Sequence, residues 1–262
     1  MLLALFVIHL AAGLYLSLPL IGRRNAGVKF YRLTLIIAGV LTAIAIAAHL
    51  SVAPPIAAAS GEIAGATHAQ RLAVLDASAL VLTALVYFVL RYPKRLIFRG
   101  AAFLLGCAFI SASVLAYDSA IHPVHIAWSV IGSLSTTALL GSVTMAMLLG
   151  HWYLVVRGMA IDPLERLTIA TLAAAVAKLI VVFAAILLGG AWHEVAVRQG
   201  IFFWMRAGWG LAGPLVLYPM IWGTVKIRST MAATGILYVD VVAVLIGEVL
   251  GAWISALVHL PV

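Results

Sequence analysis

A chain of 262 residues with 65% hydrophobic and only 9% charged residues cannot face water all round, because a soluble domain carries about 25% charged residues. The formal charge of +8 does not point to nucleic acid, since Lys and Arg cluster in short loops between apolar runs, where they set topology. Cys107 is the single cysteine, which excludes an internal disulfide, a Cys-ligated iron–sulfur cluster and covalent c-type haem.

Apolar runs of spanning length recur from end to end, so the expected fold is an all-α integral membrane protein. It forms one transmembrane domain over residues 1–262. Eight spans are predicted, at 2–21, 30–52, 71–91, 97–117, 125–154, 165–191, 201–225 and 231–258. The first has no basic residue before it and Arg23-Arg24 after it, so it reads as a span and not as a cleavable signal. Basic residues then fall in alternate loops: Arg23, Arg24, Lys29 and Arg32; Arg91, Lys94, Arg95 and Arg99; Arg157 and Arg166; Lys226 and Arg228. The positive-inside rule places those loops in the cytoplasm and both termini outside, in a bacterial-type inner membrane.

Between spans 2 and 3, the stretch from Ala53 to Gln70 is the longest connection, with Pro54-Pro55 and several Ala and Gly. Span 5 carries Ser129, Ser133, Thr137, Gly141 and Thr144 at helical spacing, a hydroxyl-lined face running toward His151-Trp152-Tyr153. That trio is expected either as a haem or quinone site on the cytoplasmic side or as an interfacial aromatic belt. Met145 and Met147 do not share a face and read as packing. Ahead of span 6, Asp162 is expected as the helix cap, with Pro163 at the first position and Glu165 at the third. Span 7 is aromatic, then Gly-rich, then interrupted by Pro214 and Pro219, the composition of a kinked or broken helix.

Two histidines lie inside spans: His9, roughly 12 Å below the outer boundary by helical rise, and His49 nearer that boundary. Both are candidate metal or b-type haem ligands, or else buried imidazoles bonded to a neighbouring helix. His68, His122, His125, His193 and His259 fall in or near outer loops. The intramembrane charges are candidates for a proton relay. Depth counting pairs Lys178 with Asp240 and Arg206 with Asp76. Glu248 is left without a fixed partner, beside Gly247 and Gly251 in a G-x-x-x-G that permits close helix approach.

His9-Leu-Ala-Ala-Gly, followed after a basic loop by Phe30-Tyr-Arg-Leu, resembles the first hairpin of b-type cytochrome membrane subunits and of CopD-like copper-resistance proteins. The span count resembles quinone-interacting anchors of respiratory oxidoreductases. The resemblance implies a membrane subunit for electron transfer, binding haem b or quinone, docked to redox partners in a membrane complex. As an enzyme it would be at most one subunit of an oxidoreductase. Two alternatives stand beside it: a transporter of copper or a small solute, and a cofactor-free anchor.

Overall fold

The computed structural model describes residues 2–52, 63–90, 95–121, 125–156 and 158–262, with the backbone alone for 23–25, 52, 63–70, 95–99 and 120. The Pro54-Pro55 stretch and His122 lie outside the described residues, as does the side chain of His68. Nine α-helices are described: α1 (Leu2–Ile21), α2 (Arg23–Val52), α3 (Ile63–Val89), α4 (Arg95–Ile121), α5 (Ile126–Val155), α6 (Asp162–Leu188), α7 (Ile201–Met205), α8 (Ala212–Lys226) and α9 (Thr230–Val258). Two π-helical turns, His193–Arg198 and Arg206–Leu211, complete the described secondary structure, which contains no strand.

Among the described residues, seven helical stretches are long and apolar enough to cross a bilayer. The eighth expected span differs. Residues 201–226 are helical, but as α7, a π turn and α8 in succession. The cause is Pro214, whose ring clashes with the carbonyl one turn back and which has no N–H to donate. A wider turn ahead of it absorbs the mismatch, and Gly208 and Gly210 within that turn ease it. A similar interruption occurs early in α2, where Gly27 sits at φ 76°, a conformation that glycine adopts without strain.

The surface chemistry reverses that of a soluble protein. Leu3, Ile36, Val81, Phe103, Ile180 and Val216 are among many large apolar side chains on the outside, where a bilayer solvates them. Inside, buried polar residues and glycines lie among large apolar side chains such as Phe30, Leu105 and Phe109. Helices α1 and α5 are the most enclosed, packed on each other and each touching α4, α6 and α9. They approach closely because Gly13 faces Gly141 and the Thr137 carbonyl, with no side chain between. Gly210 of the π turn meets Gly247 of α9 in the same way.

The expected cap of α6 is corrected. Ile161 is the cap, with no side-chain hydrogen bond, and Asp162 is already helical. Glu165 reaches instead to Lys226, 3.3 Å away, tying the start of α6 to the end of α8. Pro163 does occupy the first turn. Met145 is fully buried in the core, as packing requires.

Candidate functional site

Hydroxyls in an apolar helix usually bond back to the carbonyl four residues earlier. Thr34, Thr42, Thr83, Thr168 and Thr171 all do so. The stripe on α5 behaves differently. Ser129 donates to Asp118 at 2.6 Å and Ser133 to Ser113 at 3.3 Å, both on α4. His9 Nε2 lies 3.1 Å from Ser133 Oγ, while His9 Nδ1 donates to the Leu5 carbonyl at 2.6 Å. Thr137 and Thr144 keep buried hydroxyls without a hydrogen-bond partner. The stripe is therefore buried as expected, but its imidazole is His9.

His151 stands apart from that stripe. It is exposed, with only Tyr238 OH at 3.3 Å from its Nδ1. Successive helical residues point about 100° apart, which separates the trio. Trp152 packs on Phe30 and Tyr153 OH donates to the Ala160 carbonyl. The structure does not gather His151, Trp152 and Tyr153 into one site. We expect His151→Ala to change stability by no more than about 0.5 kcal/mol, as at other exposed positions. A thermal melt in detergent checks this, and a loss of several degrees would show that the imidazole has a structural role.

Both depth-matched pairs are corrected. Lys178 does not meet Asp240. Its Nζ donates to Thr136 Oγ1 at 2.8 Å and lies 3.8 Å from Glu248 Oε2. Arg206 does not meet Asp76. Its Nη2 lies 2.8 Å from Glu248 Oε1. Asp76 instead bonds His49 Nδ1 at 2.8 Å, within the α2–α3 hairpin. Glu248, expected to lack a partner, holds two cations. The reason lies in the helix ends: α6 begins at Asp162, three residues before the expected start, so counting from that end misplaced Lys178. Counted from the other end, Lys178 lies ten residues before Leu188 and Glu248 ten before Val258. Both are then about 15 Å deep by helical rise.

Arg206, Lys178 and Glu248 are all at most 3% exposed. The Arg206–Glu248 contact lacks hydrogen-bond alignment, and Arg206 Nε and Nη1 also have no hydrogen-bond partner. The guanidinium rests on glycines: a Cβ at Gly251 would lie 2.7 Å from Nε, and one at Gly247 3.3 Å from Nη1. The G-x-x-x-G of α9 thus makes room for an arginine as well as for a helix. His9 and Tyr117 rings meet edge to face at 5.6 Å, and Tyr117 OH lies 3.4 Å from Ser255 Oγ. A cavity of about 10 Å³, close to the room one water needs, lies among His9, Tyr117, Thr136, Lys178 and Glu248.

Asp240 lies eight residues before Glu248 on α9, about 12 Å away along the helix. It is fully buried and neither carboxylate oxygen has a hydrogen-bond partner. A second cavity of about 10 Å³ lies beside it, lined also by Thr168, Thr171, Pro214 and Tyr218. Along the helices between the two cavities lies an apolar cluster, Leu140 and Val143 of α5, Ala174 and Ala175 of α6, Val241 and Val244 of α9, and the same stretch of α5 also carries the buried hydroxyls of Thr137 and Thr144.

No protein-family model, curated protein or solved structure matches the chain. The donor chemistry tests the expected haem and metal ligands directly. Both ring nitrogens of His9 are in hydrogen-bond contact, so iron ligation there would displace Ser133. His49 is paired to Asp76 and lies on another helix pair. No cluster of three or more His, Cys, Asp or Glu with metal-binding geometry occurs among the described residues. Thr136, Tyr117 and Ser255 were not singled out from sequence. Tyr117-Asp118 near the end of an apolar span was the visible signal for Tyr117.

Proposed function

We propose that this protein carries protons through the bilayer along α5, α6 and α9, with Asp240 and Glu248 as the two stations. The observation that carries this reading is their arrangement. Two buried carboxylates share one helix, each beside a water-sized cavity, with a largely apolar plug between them. Intramembrane carboxylates at such expense are kept where protons or ions move. Residues 201–226 make an eighth crossing, and both termini lie outside. Asp240 is then the cytoplasmic station and Glu248 the outer one.

Each part has a task. Asp240 offers two unpartnered oxygens to an entering proton or to a water. The plug impedes passive flow, because Leu140, Ala175 and Val244 offer water no partner and leave it only the Thr137 and Thr144 hydroxyls of α5. The π turn and Pro214 flank both stations, Arg206 reaching one and Pro214 lining the other. Rearrangement of that broken segment is the means by which the plug would open. At the outer station Lys178 and Arg206 hold Glu248, and His9 and Tyr117 line the cavity beside it. The role suits the membrane subunit of an electron-transfer complex in the inner membrane, whose contribution is the proton path. A proton-coupled transporter of a small solute is the second reading, favoured by the interrupted helix.

Proteoliposomes test the proposal. With a valinomycin-imposed potassium potential, the wild type should acidify a pH dye in the lumen faster than protein-free vesicles. Asp240→Asn should fall to the protein-free rate. Wild-type vesicles no leakier than empty ones, or an Asp240→Asn rate equal to wild type, would sink it.

A further inference from the structure

An apolar groove of about 410 Å³ opens on the bilayer side of α1 and α9, within the usual size range of small-ligand sites. Leu3, Phe6, Phe202, Val249, Ala252 and Trp253 line it. Phe202 and Trp253 pack edge to face at 5.1 Å and form an aromatic wall. The water-sized cavity at Glu248 is lined by Phe6 and Ala252 as well. One side chain from each of two helices therefore separates an apolar groove from a buried cluster of donors and an acceptor.

We propose that this groove binds an isoprenoid quinone or quinol, with its tail along Leu3 and Trp253 and its ring at the Phe6–Ala252 partition. The inference rests on the proton-path reading, for which it names a ligand seated beside the outer station. Three features select this occupant. The groove is apolar and faces lipid, so the ligand arrives through the membrane. The cavity behind it offers donors, Lys178 Nζ and the Tyr117 and Thr136 hydroxyls, together with the Glu248 carboxylate as acceptor. A head group that both accepts and donates hydrogen bonds meets both kinds of partner. The partition is thin: Ala252 presents only a methyl, and Phe6 has a single rotatable ring to turn aside.

The test uses purified full-length protein in nanodiscs, titrated with a decyl-substituted benzoquinone and read by quenching of tryptophan fluorescence. Saturable quenching is expected, lost in large part in Trp253→Phe, with the tailless ring binding at least about tenfold more weakly, or 1.4 kcal/mol. Ala252→Phe should weaken binding by a similar factor. Leu3→Phe, at a position 59% exposed, obstructs the groove from outside the core and repeats the test if Ala252→Phe fails to fold. Quenching unchanged in both variants would overturn the inference. So would displacement of the quinone by palmitate at equal concentration, which would make the groove a general acyl-chain site. Asp240→Asn separates the two proposals, since it should abolish proton flux and leave quinone binding intact. Binding without flux would cost the path, and flux without binding would cost the quinone.

Discussion

Glu248→Gln is expected to be among the most destabilising single substitutions in the chain, by about 3–5 kcal/mol, as when one partner of a buried ion pair is removed. Glu248 is the only carboxylate within ion-pair distance of Lys178 and of Arg206 among the described residues. Both cations are at most 1% exposed, so neither can turn to water when it goes. Lys178 retains the Thr136 hydroxyl, a neutral partner. Arg206 retains only its glycine cradle, and its Nε and Nη1 already lack hydrogen-bond partners. The double variant Arg206→Met/Glu248→Gln should lose less than the sum of the two single changes, because it removes a charge together with its counter-charge. Thermal melts of the four proteins in one detergent measure the coupling. Strict additivity would mean that Arg206 and Glu248 do not hold one another, and the outer station would lose its anchor.

The sequence shows the spans well and the neighbours poorly. Hydropathy and loop charge report each helix by itself, and seven of the expected spans appear as long helices close to the expected limits. The hydroxyl face of α5 was also legible, since Ser129, Ser133, Thr137 and Thr144 repeat at helical spacing. What that face meets was not. Whether it serves His151 on its own helix or His9 on α1 depends on helix contacts, which periodicity does not encode. The same holds for the charges. Depth is one coordinate, and it fits several partners: a three-residue error at the start of α6 was enough to favour Asp240 over Glu248. His49 and Asp76 had a simpler solution, because they lie on helices adjacent in sequence, α2 and α3, which pack on each other. Among the clues, Gly247 and Gly251 were read for helix approach, and that reading was correct for Gly247 against Gly210. Their second use, as the floor under Arg206, needed the π turn, and no propensity scale announces one.

Gly141→Ala should cost about 3 kcal/mol, the upper end of what overpacking usually does, although it adds only a methyl. A Cβ at Gly141 would overlap the backbone of Gly13, and one at Gly13 would overlap the Thr137 carbonyl and Gly141. Backbone meets backbone there, so no flexible side chain can move aside. The helices would have to separate, and α1 carries His9 while α5 carries Ser133 and Thr136. Separation by even an ångström would break the 3.1 Å contact between His9 and Ser133 and widen the cavity beside Lys178. Gly235 is the internal control: it lies in α9 with nothing within 4 Å of an added Cβ. There Gly→Ala should be neutral or stabilising by up to about 1 kcal/mol, the helix-propensity gain. The two variants, compared by thermal melt and by proton flux, separate the packing of this contact from the general effect of removing a membrane glycine. If Gly141→Ala melts with the wild type, α1 and α5 do not touch at Gly13. The outer station as described would then have no fixed position for its imidazole.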